Sequence, residues 1–310
     1  MAAYRFCRSD DIGLLTDALN RCWSPHFPGE PAMTAMAFKQ SIRERQVWCS
    51  SCMVAFAGAD PIGVLIGAKR SSGTLVHKIA VHPDHRRQDH GRHLLTSLAS
   101  KLAILGPPRT VAEVPEALVA ACGLFAASGF SEEARLIDYV LPSHQGDARA
   151  GTASEALPDG RFVIPVSVDD LVANGLLEGQ AEDTCWQRSV ETLTARKDDI
   201  AGLAIASDER IEAYLLYVTH RASPSETGGA NAETCGDVEI VSLRSCVEDG
   251  GERVRRLLAQ LRARKSGTFR LPKVHPRELS HECLERLGFQ PDGAHLLFAA
   301  RAGSDPAHAD

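Results

Sequence analysis

Residues Leu75 to Leu95 read LVHKIAVHPDHRRQDHGRHLL, and the reading of this stretch decides the fold. LVHKIAV is aliphatic and β-branched, which predicts a strand from Thr74 to Val81. His82-Pro83 stops it. A basic loop then leads into a helix from Gly91 to Leu105, with Leu94, Leu95, Leu98 and Leu102 on one face. A strand, a polar loop and a helix N-terminus in that order make an anion site, because unpaired N–H groups and the positive end of the helix dipole meet there. Arg86, Arg87 and Arg92 add fixed cations suited to a pyrophosphate. The same residues also suit a plain strand–helix connection with a solvated basic loop.

Working outward, the first half continues the alternation of strand and helix. A strand is expected at Tyr4 to Arg8, then a helix to Cys22 capped by Ser9 or Asp10. Phe38 to Glu44 reads as a helix, and Cys52 to Ala57 with Ile62 to Lys69 as a hairpin around Gly-Ala-Asp-Pro. After the Gly91 helix come a strand at Thr110 to Glu113, a small-residue helix at Glu116 to Ser128 ended by Gly129, and a strand at Arg135 to Leu141. The second half repeats the order: a hairpin (Ile200 to Ser207, Ile211 to Thr219) and a strand (Asp237 to Arg244), then a helix (Glu252 to Arg264) and a strand (Thr268 to Val274). A helix ended by Gly288 and a last strand at Ala294 to Ala300 close it. The expected fold class is therefore α/β (α+β), one module written twice, each a mixed, mostly antiparallel sheet flanked by helices. The boundaries are 1–141 and 161–302, with a polar linker at 142–160, a long loop at 222–236 and a tail at 303–310.

The 310 residues suffice for two cores, and the composition, 44% hydrophobic and 24% charged, is that of a globular chain. A net charge of −6 argues against a nucleic-acid or anionic-membrane binder. No apolar run nears the ~20 residues that span a bilayer, and the start MAAYRFCRSDDIG has no signal-peptide apolar region. Nine scattered cysteines are not a disulfide framework, so a reducing, cytoplasmic setting is expected. Cys49-Ser-Ser-Cys52 lacks a second pair and reads as packing; His90-x-x-His93 lacks carboxylate or cysteine partners, so no metal is expected.

The strand-HPDHRRQDHG-helix run resembles the acetyl-CoA motif of the GNAT superfamily of N-acetyltransferases, R/Q-x-x-G-x-G/A, aligned as Arg86-Arg87-Gln88-Asp89-His90-Gly91. The resemblance covers residues 4 to 141 in element order, and the second half resembles the fold by element order only. Two such modules are similar in architecture to mycothiol synthase, although no residue selects that substrate. The resemblance implies acetyl-CoA as co-substrate and a small-molecule or peptide amine as acceptor. Ile79 and Val81 would pair with the pantetheine arm, the amides from Arg87 to Arg92, with Gln88, Asp89, His90 and Gly91 between them, would hold the pyrophosphate, and the amine would attack the thioester directly.

His77 lies mid-strand, where this family often places a base; strand alternation puts it on the face of Leu75 and Ile79, and it also suits a residue facing solvent or a neighbouring strand. Asp84 and His85 are alternatives at the strand mouth. Asp89 replaces the motif's first glycine and would repel phosphate; charge effects at a helix terminus run from ~0.3–1 kcal/mol when exposed up to ~2 when partly buried, which would weaken binding roughly tenfold. Phe125 and Leu284 stand where many members carry a tyrosine acid. Glu248, Asp249 and Glu252 argue against a pyrophosphate in the second module. A catalytically degenerate binding or regulatory protein, a CoA sensor or scaffold, is the alternative. Trp23, His26 and Phe27, within Asn20 to Met36, are the candidate acceptor residues.

Overall fold

A computed structural model describes residues 2–142, 155–156, 161–178, 184–220 and 237–301. The expected linker, apart from residues 142, 155 and 156, and all of the expected loop and tail lie outside the described residues. In chain order the first elements are β1 (Ala2–Phe6), α1 (Ile12–Cys22), α2 (Ala35–Arg45), β2 (Met53–Ala57), β3 (Asp60–Lys69) and β4 (Thr74–Val81). There follow α3 (His90–Leu105), β5 (Arg109–Pro115), α4 (Val119–Ala127), β6 (Ser131–Leu141), β7 (Glu155–Ala156) and β8 (Phe162–Pro165). Then come α5 (Val168–Ala173), α6 (Val190–Ala195), β9 (Ala201–Ala206), β10 (Ile211–Thr219) and β11 (Val238–Ser245). The chain ends with α7 (Glu252–Arg264), β12 (Phe269–Val274), α8 (His281–Arg286) and β13 (Gln290–Arg301).

These elements form two compact units, Met1–Arg135 with His295–Asp310, and Leu136–Ala294. The strand order is β1-β2-β3-β4-β5-β13 in the first and β7-β8-β9-β10-β11-β12-β6 in the second. Each is mixed α/β and mostly antiparallel, as the sequence leads one to expect, with one parallel junction, β4–β5 or β11–β12. The division of the chain differs from a cut at the linker. His295 to Arg301 pair with Pro115 to Arg109 of β5, and Leu141 to Ile137 pair with β12, so each half of the sequence lends its last strand to the other's unit. Alternation reveals that such strands exist but not which open edge they join.

In the first unit Leu94, Leu95, Leu98 and Leu102 of α3 pack on Met53, Leu65, Val76, Ala112 and Val114 of the sheet. Burying each leucine contributes ~1.5–3 kcal/mol. In the second unit Val254, Leu257, Leu258 and Leu261 of α7 cover Ile240, Leu243 and Leu271 in the same way. The helix stops also match. Gly129 (φ 83°) and Gly288 (φ 91°) take the left-handed conformation. Phe130 N–H returns to the Phe125 carbonyl at 3.1 Å, and Phe289 N–H to the Leu284 carbonyl at 3.0 Å. Both are Schellman turns, and they explain why the Gly-Phe dipeptide recurs.

Two local readings are corrected. Neither Ser9 nor Asp10 caps α1; Asp11 stands at the cap, and its carboxylate is held by the Arg5 guanidinium at 2.8 and 2.9 Å and the Arg8 N–H at 2.7 Å. His77 does not share a face with Ile79. Ile66 pairs with Lys78 and Gly67 with Val76, so His77 is the extra residue of a β-bulge. A bulge shifts the parity of the strand. Val76 and Ile79, three apart, both pack in the core under α3, and His77 and Lys78 fall consecutively on the opposite face.

Candidate active site

The β4–β5 ladder holds only Thr74↔Thr110 and Leu75↔Val111, after which the two strands part. On the other side of β4, His82 N–H donates to the Ile62 carbonyl at 2.9 Å. In an antiparallel ladder the peptide groups alternate, so Ala80 and Lys78 turn toward β3 while Ile79 and Val81 turn into the opening. These are the two residues the sequence reading singled out. The Val81 carbonyl is already engaged there, accepting from His26 Nε2 at 2.9 Å.

The opening leads to the loop before α3. Arg86, Arg87, Gln88 and Asp89 are exposed. Arg87 and Asp89 both have φ 59°, the left-handed region, and Asp89 is the residue before the helix. Aspartate tolerates this conformation better than most residues, so the loop keeps a turn that glycine would adopt freely. The first intrahelical bond runs from His93 N–H to the Asp89 carbonyl at 2.9 Å, which leaves the amides of His90, Gly91 and Arg92 ahead of the ladder. A Cβ on Gly91 would stand 3.0 Å from Leu124, so α3 and α4 approach closely at this point.

Two motif side chains are committed elsewhere. Arg92 donates to the Ala127 carbonyl at 2.9 Å and so caps α4 rather than facing the loop. His90 is buried, and its Nδ1 shares a hydrogen bond with the Tyr4 hydroxyl at 2.6 Å. Burial pushes the His90 imidazole below its usual range, with His85 and His93 adding to the effect, and burial raises the Tyr4 phenol. The neutral pair anchors the first turn of α3 to β1; nothing in the local sequence pattern marks Tyr4 for this role. Phe125 is 2% exposed, stacked on Phe298 and edge-on to Phe130.

Facing the bulge is the segment after α1. Trp23 stacks on Phe27 with centroids 4.4 Å apart, and its Nε1–H donates to Glu30 Oε2 at 2.9 Å. Lys78 Nζ lies 3.3 Å from that oxygen and 4.0 Å from the Trp23 ring centroid. Trp23, His26 and Phe27 are expected here from the sequence; Lys78 and Glu30 are not, because the bulge that sets the face of Lys78 leaves no mark in the sequence. Among the described residues no group of three His, Cys, Asp or Glu is arranged to hold a metal ion. No helix among them is long and apolar enough to cross a membrane.

Residues 48–132 match the family model of the acetyltransferase (GNAT) domain. This part of the chain is thus similar to a GNAT domain. The match spans the splayed strand, the loop and α3. No curated protein matches the sequence. The whole chain is similar in fold to a tandem GNAT protein from the clavulanic acid biosynthesis pathway, with TM-score 0.62 at 16% identity over 98% of this chain and 100% of that one. It is also similar to GCN5-related N-acetyltransferases from Sphaerobacter thermophilus (0.61, 13%, 97% and 96%) and Anabaena variabilis (0.60, 10%, 96% and 72%). The fold is that of a tandem GNAT protein.

The second GNAT-like unit reproduces the opening and fills it. The β11–β12 ladder also stops after two pairs, Val238↔Phe269 and Glu239↔Arg270, and Val241 is the extra residue of a bulge against Leu216 and Tyr217. Arg188 lies where these strands part. It donates Nε to the Val241 carbonyl at 3.3 Å, Nη1 to the Pro272 carbonyl at 3.1 Å and Nη2 to Glu278, and its side chain is 0% exposed. At the helix, Gly250 and Gly251 take φ 63° and 87° ahead of α7. The N-terminus receives Asp249, whose carboxylate accepts Gly251 N–H at 3.0 Å, Arg253 N–H and Nη1 at 2.9 Å each, and Ser245 Oγ at 3.0 Å. These donors overcome burial and hold its carboxyl at about 2. The acids here are legible in the sequence, whereas Arg188 comes from a segment with no periodicity.

Proposed function

We propose that the first unit is an acetyl-CoA-dependent N-acetyltransferase and that the second serves as a non-catalytic companion. One observation carries this reading. In the first unit Arg86 to Asp89 are exposed at the loop and the fork takes the His26 contact to Val81, whereas in the second fully buried Arg188 lies in the corresponding fork and Asp249 accepts the amides at the corresponding helix N-terminus. The residues present suit the co-substrate: the amides of Ile79 and Val81 face the opening, Arg86 and Arg87 are exposed at the loop, and the first amides of α3 lie ahead of its ladder. Asp89 opposes the phosphates, and the His26 contact to Val81 must share or yield that carbonyl.

When bound, acetyl-CoA supplies an activated acyl group. The acceptor amine attacks its carbonyl carbon, the C–N bond forms, the C–S bond breaks, and thiolate leaves. His77, at the bulge beside the opening, takes a proton from the amine, and the Ile79 N–H polarises the carbonyl. Buried Phe125 has no proton to give, so the thiolate takes its proton from water. The setting is cytoplasmic and the acceptor is a small-molecule or peptide amine.

A second reading, a sensor that binds CoA without turnover, draws on Asp89 and Phe125. The two are separated by calorimetry with acetyl-CoA followed by thiol release with a panel of amines. Binding with amine-dependent release, reduced 10²–10⁴-fold in His77→Ala, supports the transferase. Binding without release leaves the sensor, and no binding of any acyl-CoA overturns both.

A further inference from the structure

We propose that Trp23, Phe27 and Glu30 form the subsite for the acceptor's ammonium group, with the ammonium of Lys78 standing in it as a place-holder. This rests on the reading of the first unit as an N-acetyltransferase. The acceptor class is a primary amine with an apolar or aromatic body, bound as its cation.

The argument begins with the bulge. Because His77 is the extra residue, Lys78 turns away from the core under α3 and toward the segment after α1. Its side chain is 17% exposed, although a lysine loses hydration on burial. That loss pushes the Lys78 ammonium below its usual range, against the opposing pull of Glu30. What holds the cation is a carboxylate oxygen at 3.3 Å and the face of an indole at 4.0 Å. A carboxylate with a π-face is what recognises an alkylammonium generally.

The surroundings extend the box in ways a lysine does not use. Trp23 donates to the same Glu30 oxygen, which fixes ring and carboxylate relative to each other. Phe27 stacks on Trp23 with centroids 4.4 Å apart and adds apolar surface next to the indole. Lys78 reaches the box on an unbranched stem with several rotatable bonds, so it can withdraw. Glu30 is 48% exposed, so a cation arriving from solvent meets the carboxylate first. His26, in the same segment, is bonded to Val81, which places the box beside the open edge of β4.

The test uses the full chain, phenethylammonium chloride as the probe and phenylpropionate as an anion with a similar body, both followed by calorimetry without acyl-CoA. Lys78→Met keeps the stem and empties the box, and is expected to bind phenethylammonium about tenfold more tightly than the unmodified protein. Adding Glu30→Gln, at a partly exposed position that leaves the core untouched, is expected to reverse that gain. Thermal melting establishes that each variant is folded. Equal affinity in Lys78→Met and the unmodified protein, indifference to Glu30→Gln, or equal binding of phenylpropionate overturns the proposal. Acetyl-CoA titrated separately tests the transferase reading. Its failure leaves an ammonium site standing, and binding of acetyl-CoA with no ammonium binding removes this subsite alone.

Discussion

His77 and Val241 occupy the same structural position. Each is the extra residue of a bulge, and each comes three residues after the first pair of a two-pair parallel ladder, at Thr74 or Val238. One position carries an imidazole beside an open fork. The other carries an isopropyl group in a closed apolar core with Leu171, Leu193 and Leu216. The two units are thus comparable residue by residue at the point where they differ in chemistry.

The first expectation concerns stoichiometry. Calorimetry with acetyl-CoA should give one site per chain. Two equivalent sites would mean that Arg188 and Asp249 yield to the ligand, and the second unit would have to be reconsidered.

Asp89→Gly should tighten CoA binding by as much as tenfold, about 1.4 kcal/mol. The variant removes a negative charge from a helix N-terminus and places glycine where φ is 59°. Weaker binding would show that the carboxylate turns outward and that its Cβ orders the loop.

Asp249 makes the second unit sensitive to acid. Its carboxyl sits at about 2 when folded and at the ordinary 3.8 when unfolded. A lowered folded value stabilises the protein above the unfolded value, and the stabilisation is lost as pH falls from 3.8 through about 2. Asp249→Asn should therefore cost about 2 kcal/mol in urea unfolding at pH 7, and the difference from the unmodified protein should shrink steadily below about pH 4. A constant difference across that range would assign the loss to packing.

Restoring a phenol at Phe125 should not restore an acid. The ring is enclosed by Phe130 and Phe298, so Phe125→Tyr buries a hydroxyl among carbon atoms. A loss of about 1–3 kcal/mol by thermal melting, with no gain in thiol release, is the expected outcome. Faster release with unchanged stability would place the hydroxyl in the opening after all.

Much of this was legible in the sequence for physical reasons. Thr74–Val81, Ile211–Thr219 and Glu252–Arg264 have the bounds their patterns indicate, because β-branched runs and leucines at helical spacing are strong local signals. Residues 161–199 carry no periodic pattern that marks their elements: α5 and α6 are short, and Arg188 is set by tertiary contacts. The bulge was missed because one extra residue leaves composition unchanged while reversing the faces that follow. Arg92 suits a phosphate ligand by position, yet the C-terminal carbonyl of α4 at Ala127, 35 residues on, takes its guanidinium.

The exchanged last strands make the two halves of the chain joint owners of each unit. A fragment ending at Leu141 would keep the whole GNAT motif yet leave β5 without its partner from His295 to Arg301, a bare edge open to any passing strand. Phe298 is written near the far end of the sequence, and its ring supports the helix that follows β5. Neither half can be lost, traded or inherited without the other.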